Sequence, residues 1–402
     1  MIVDHFQFAQ LAQASYADFD NFPSTLEGVR NSLKVGGEGD FAPKQAEVFA
    51  DPVMGFTLRN YTADLFSGFS ASLFESNTYP GDFTLALRGT ELPDLRDWAS
   101  DADIATTGLA RDQIIGMYRY YKQLITPVGQ SVSYSSAELL LLAGIKDMTD
   151  TPLATSAAYL ALLAETFFDT GLGKLPPDAK INVVGHSLGG HLAMAFTQLF
   201  PDAVLHAYTF NGAGLGGAGI ELLDRLTGTQ SSISNSLVTN IVADPDDDFT
   251  AGMGTVLGET KRVFIEKQSL GTSDHSIVVL TDALALQSLF ERIDPTLNFD
   301  QITGILKAAS ADPAKSLEVT LDKLRTLFEQ NYTYGNAHYN ADPTMIGDTA
   351  TSRDDYYTKL YALQETLNSL PFTTFIIESL AGKSSAELVQ LAQADALFHA
   401  GE

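Results

Sequence analysis

A chain of 402 residues that is 45% hydrophobic can bury a sizeable core, as one large or two smaller domains. Its 24 Lys and Arg stand against 50 Asp and Glu, and the formal net charge of −26 repels nucleic acid and anionic membrane surfaces. With no cysteine, disulfides, thiolate zinc sites and a cysteine nucleophile are excluded.

The first nineteen residues carry acidic and polar side chains and no basic segment ahead of an apolar run, so they do not read as a signal peptide. Localisation stays open between the cytoplasm and export by a route without such a signal. Residues 4–17 predict an amphipathic helix with Asp4 as N-cap and Phe8, Leu11 and Ala12 on its apolar side. "GGEGD" at 36–40 reads as a loop. Three strand-like segments, 56–63, 67–76 and 82–89, are separated by short Asn, Pro and Gly spacers that suggest hairpins. Helices are expected at 110–126 and 153–168. The most apolar stretches, 137–145 and 154–168, are shorter than the roughly 20 residues that cross a bilayer, so no transmembrane segment is expected.

From Ile181 strands and helices alternate, with strands at 181–185, 204–210, 237–243 and 262–267. That rhythm predicts a mostly parallel sheet in an α/β fold. Beyond about residue 295 only helices are expected, around the polar loop 333–351. The domain reading is therefore 1–295 as the α/β unit and 296–402 as a helical C-terminal extension packed on or beside it.

"GHSLG" at 185–189 fits G-x-S-x-G, in which a serine sits on a strained turn between strand and helix. "INVV" before it and "HLAMAFTQLF" after it supply that context. Gly185 and Gly189 would let strand and helix approach closely, and Ser187 Oγ would stand at the carboxyl end of its strand. A serine hydroxyl needs a base to take its proton and a third group to orient that base. Of seven histidines, His5, His186, His191 and His206 read as structural and His399 lies near the chain end. His275, after the strand 262–268 and before an apolar helical run, is favoured as the base; His338, in the polar loop, is the runner-up. The acid should end the strand before the histidine's strand, which points to Asp244. Asp246, Asp247 and Asp248 behind it read as a solvated acidic loop, with a calcium site as the alternative reading. An oxyanion needs two donors: the Leu188 N–H is one, and Thr90, directly after a strand, is the candidate for the other, although taken alone "RGT" reads as a plain turn.

Four segments together resemble the class 3, or fungal-type, lipases of the α/β-hydrolase superfamily. They are "RGT" at 88–90 continued by "RDWASD" (96–101), the elbow "VVGHSLGGHLA" (183–193), "AYTFNGAGLGG" (207–217) and "VTNIVADP" (238–245). The resemblance spans about residues 1–290. It implies an α/β-hydrolase fold with a mostly parallel central sheet flanked by helices, Thr90 as oxyanion residue, Asp101 as its hydrogen-bonding support, and the triad Ser187, Asp244 and His275. It further implies hydrolysis of carboxylic esters, acylglycerols foremost, without a required cofactor or metal, and transient contact with lipid interfaces. Phospholipase A1, a short-chain carboxylesterase and a catalytically silent binding module on the same fold are the alternatives. Residues 128–152 depart from the family as an insertion, either a lid or a buried core helix.

Overall fold

The computed structural model describes residues 5–21, 25–35, 39–63, 67–89, 109–228, 235–244, 254–266, 275–310, 316–329 and 350–369. Seven strands form one sheet in sequential order: β1 (Phe56–Ala63), β2 (Ser70–Ser76), β3 (Phe83–Leu87), β4 (Ile181–His186), β5 (Val204–Phe210), β6 (Val238–Asp244) and β7 (Glu259–Phe264). The first three run antiparallel as the hairpin signals suggest, and β3 through β7 pair in parallel. β3 and β4 are buried along their whole length, as strands covered on both faces must be. β7 lies three residues earlier than the apolar pattern suggests. Its ladder aligns Thr239–Asp244 with Glu259–Phe264, so the polar "ETKR" is strand at the sheet edge, where exposed side chains are tolerated.

Successive side chains of a strand point to opposite faces, and Val183 and Val184 of β4 accordingly enter two different cores. On one face Leu85, Leu87 and Val183 pack with α4 (Arg111–Ile125), α5 (Ser136–Asp147), α6 (Ala157–Thr166), α7 (Leu188–Leu199) and α8 (Gly217–Thr227). On the other, Ala86, Val184, Phe210 and Ile241 pack with α1 (His5–Ala14), α3 (Pro43–Phe49), which follows α2 (Leu26–Leu33), and α9 (Ile277–Ile293). This is the α/β-hydrolase architecture that the resemblance implies.

Two expectations gain definition. Within 128–152, α5 starts at a capping box of Ser135 and Glu138 and buries Leu139, Leu142, Ala143 and Ile145 in the core. The C-terminal helices α10 (Phe299–Ser310), α11 (Leu317–Phe328) and α12 (Ala350–Ser369) share one apolar cluster with α1 and α9. They complete a face of the sheet. Arg353 on α12, nearly fully buried, makes a paired contact with both carboxylate oxygens of Asp282 on α9, at 2.9 and 3.0 Å. Among the described residues no helix is long and apolar enough to cross a membrane.

Candidate active site

β4 stops at His186 and α7 starts at Leu188, so one residue must reverse the backbone between them. That residue is Ser187, at φ 56° and ψ −125°, a conformation costing a non-glycine residue about 1–3 kcal/mol. The surrounding backbone holds it there. Ser187 N–H donates to the Phe210 carbonyl at 3.1 Å, and the Ser187 carbonyl accepts from Gly190 and Ala213 at 3.0 and 3.1 Å. Gly185 and Gly189 are required by crowding. A Cβ on Gly185 would lie 2.1 Å from the Gly189 carbonyl oxygen, and one on Gly189 would lie 2.1 Å from that of Leu87. Leu188 is the first residue of α7, whose leading N–H groups have no intrahelical acceptor and carry the positive end of the helix dipole. They are disposed to receive a developing negative charge.

β3 delivers Gly89 beside the elbow: a Cβ there would stand 3.3 Å from Ser187 Cβ and 2.8 Å from Tyr16 Oη. Thr90 and Asp101 lie outside the described residues, as do Trp98, Asp246, Asp247, Asp248 and His338.

His275 is held against His186, the residue before Ser187. Its ring centroid is 4.7 Å from that of His186, and its backbone carbonyl accepts a 2.7 Å hydrogen bond from His186 Nε2. His186 Nδ1 then accepts from Tyr16 Oη, also at 2.7 Å. This chain of bonds assigns a neutral imidazole protonated on Nε2 to His186. Burial first, and the neighbouring His275 second, hold its pKa well below the usual histidine range. The same His275 carbonyl receives Asn211 Nδ2 at 3.3 Å, while Asn211 Oδ1 accepts from Ala243 N–H on β6 at 2.9 Å. Two side chains from the ends of β4 and β5 thus anchor the backbone of His275. No hydrogen bond joins Ser187 Oγ to His275 among the described residues, and such contacts commonly close only around substrate.

Asp244 ends β6 at the same carboxyl edge of the sheet. Its Oδ2 takes Lys307 Nζ of α10 at 3.0 Å, and among the described residues no hydrogen bond joins it to His275. His191 fits its structural reading. Nδ1 donates to the Gly214 carbonyl at 3.1 Å and Nε2 accepts from Ala110 N–H at 3.2 Å, in a site where burial lowers its pKa to about 4. Tyr16 and Asn211 were not singled out by sequence, and His186 read as bland. Tyr16 and His186 are 170 residues apart, so no local pattern links them.

No family model matches the chain, and a comparison with curated proteins finds no match. Solved structures similar to it include lipases. A triacylglycerol lipase of Penicillium expansum is 17% identical over 67% of this chain and 79% of its own, with a TM-score of 0.29. The Lip2 lipase of Yarrowia lipolytica is 19% identical over 67% of this chain and 80% of its own, with a TM-score of 0.31. M37 lipase is 13% identical over 61% and 68%, with a TM-score of 0.32. Likeness at this level carries no chemistry.

The described residues bring together a strained serine at a strand end, a helix amino terminus and an anchored histidine. Among the described residues no group of three or more His, Asp or Glu side chains is placed to hold a metal ion.

Proposed function

We propose that the chain is a serine hydrolase of carboxylic esters, acting on acylglycerols as a triacylglycerol lipase does. The observation that carries this reading is the positive φ of Ser187 at the joint of β4 and α7, with His275 tied to the residue before it. In the reaction, Ser187 Oγ attacks the ester carbonyl as His275 takes its proton. The Leu188 N–H and Thr90 receive the oxyanion, and the alcohol leaves with the proton returned by His275. Water, deprotonated by the same imidazole, then releases the carboxylic acid from acyl-Ser187. Asp244 is the acid that orients His275 and stabilises its imidazolium.

The choice of long-chain acylglycerols rests on the sequence resemblance, and contact with a lipid interface is part of the same reading. The substrate class is tested by assaying triolein, a phosphatidylcholine and a short-chain nitrophenyl ester side by side. Hydrolysis confined to the phospholipid or to the short ester would replace the acylglycerol reading by phospholipase A1 or carboxylesterase. The nucleophile is tested by labelling with a fluorophosphonate and locating the adduct by mass spectrometry, with Ser187→Ala as control. An unlabelled wild-type chain would leave a silent binding module. His275→Ala and His338→Ala, assayed separately, decide the base.

A further inference from the structure

The carboxyl ends of the parallel strands hold the site just described; their amino ends hold a second recess. A cavity of about 330 Å³ opens there, at the size where small-molecule pockets begin. His206 near the start of β5, Lys261 in β7, His5 at the start of α1, and the side chains of Tyr208, Glu291 and Phe299 line it. Three of these six carry nitrogen bases in a protein whose net charge is −26.

The groups at this wall are arranged around a missing acceptor. His5 is nine-tenths buried, yet its Nδ1 has no hydrogen-bond partner among the described residues, and a buried polar atom without a partner carries a desolvation penalty of about 1–3 kcal/mol. Lys261 faces both imidazoles. After burial it is the next cause lowering the pKa of His5, to about 4, and it lowers that of His206 as well. Lys261 is thus the one cation among the described lining residues, 4.0 Å from the largely exposed Glu259 carboxylate, with two neutral rings beside it. A metal cation is disfavoured by the ammonium, and among the described residues no group of three or more His, Asp or Glu side chains is placed to hold one.

The rest of the lining defines the body of the ligand. Phe299 and Tyr208 meet the His5 ring edge-on, at 5.2 and 6.0 Å between centroids, and the Lys261 ammonium lies 5.5 Å from the Phe299 ring centre. These rings offer apolar surface beside a single ammonium, which balances one negative charge on a ligand, and Glu291 is also among the lining residues. We propose that this cavity binds a small monoanionic carboxylate with an apolar body, its oxygens held by Lys261 and His5, at a site separate from Ser187.

Sodium benzoate is the probe, titrated calorimetrically into the full chain, with imidazole resonances followed by NMR. Saturable binding that shifts His5 and His206 is expected, with benzamide, the neutral analogue, failing to do so. Lys261→Gln should weaken binding about tenfold, Lys261→Arg should retain it, and Ser187→Ala should bind benzoate as the wild type does. Lys261 is part-exposed and its replacement leaves the core intact, so folding is checked by an unchanged Tm. Absence of saturable binding, equal affinity in Lys261→Gln, or loss of binding in Ser187→Ala would each overturn the proposal. The last result would put benzoate in the hydrolase site, whereas failure of the hydrolase reading alone would leave benzoate binding intact.

Discussion

Tyr16 Oη donates a 2.7 Å hydrogen bond to Nδ1 of His186, tying the segment just after the first helix to the residue that precedes Ser187. His186 passes the constraint on through its own 2.7 Å bond to the carbonyl of His275. Tyr16→Phe keeps the ring and removes the donor. It leaves a buried ring nitrogen unsatisfied, at a cost of about 1–3 kcal/mol in stability. Because the consequence reaches His275 by way of its backbone, kcat should fall about tenfold with KM little changed. An unaltered kcat in a destabilised Tyr16→Phe protein would make this bond a packing feature only.

Strain at Ser187 should be visible as stability. Glycine adopts a positive φ without the penalty that a Cβ brings, so Ser187→Gly should be more stable than Ser187→Ala by about 1 kcal/mol. Both should lose activity, by about a millionfold in kcat if the serine is the nucleophile. Chemical denaturation of the two variants measures the difference. Equal stabilities would mean that the turn does not strain the residue it holds.

The setting of Ser187 is readable in one pentapeptide because it is local: a strand, a tight turn with glycines, and a helix follow one another. The parallel sheet is equally legible, since β-branched runs alternate with helical ones from Ile181 onward. What escapes is whatever depends on distance along the chain. Nothing in "ASYADF" announces that Tyr16 meets His186, and nothing in "FNGAG" announces that Asn211, at φ 44°, holds both β6 and His275. β7 was displaced by three residues because its exposed start lacks the apolar signal that periodicity reads. The C-terminal helices read only as packed on or beside the α/β unit, because amphipathic periodicity reports that a face is buried without saying against what.

Two substitutions separate the two roles open to Asp244, an ion pair with Lys307 and the orientation of His275. The Asp244–Lys307 pair is part-exposed, with 22% and 59% of the respective side chains accessible, so as an ion pair it is worth at most about 1 kcal/mol. Lys307→Met should therefore change stability and kcat little. If Asp244 orients His275, Asp244→Asn lowers kcat by about 10⁴-fold while the fluorophosphonate still finds the same fold. A fully active Asp244→Asn enzyme would transfer the role to Asp246, Asp247 or Asp248.

Acid should destabilise the fold through its buried imidazoles. His191 has a pKa of about 4 in the folded chain, against 6.5 without burial, so the unfolded chain takes up its proton first as pH falls. The contribution is fully present above pH 6.5. It is lost progressively down to about pH 4, and the drop amounts to about 3 kcal/mol at about 1.4 kcal/mol per pH unit. His186, displaced in the same direction, adds to the slope. Denaturation midpoints measured across this window should fall steadily, and the slope should be shallower in His191→Gln. An identical slope in the variant would remove His191 from the acid response.

The clamp between α9 and α12 yields the largest expected stability effect. Asp282 is completely buried, and besides Arg353 it receives the hydroxyl of Tyr357 at 2.6 Å, while its backbone carbonyl receives that of Tyr356 at 2.9 Å. Arg353 also donates to the Asp40 carbonyl and to Gln45 Oε1, so one guanidinium joins α12, α9 and the segment around α3. Removing one partner of such a pair strands a charge in the core, which costs about 3–5 kcal/mol. Arg353→Met should show that loss, and because α9 begins just after His275, activity should decline with it. A double variant, Asp282→Leu with Arg353→Met, removes both charges and should recover a good part of the stability, since no ion is then left unpaired. Calorimetry of the two single variants and the double one measures the coupling. Additive losses would show that the two side chains do not stabilise one another and that α12 is held by its apolar face alone.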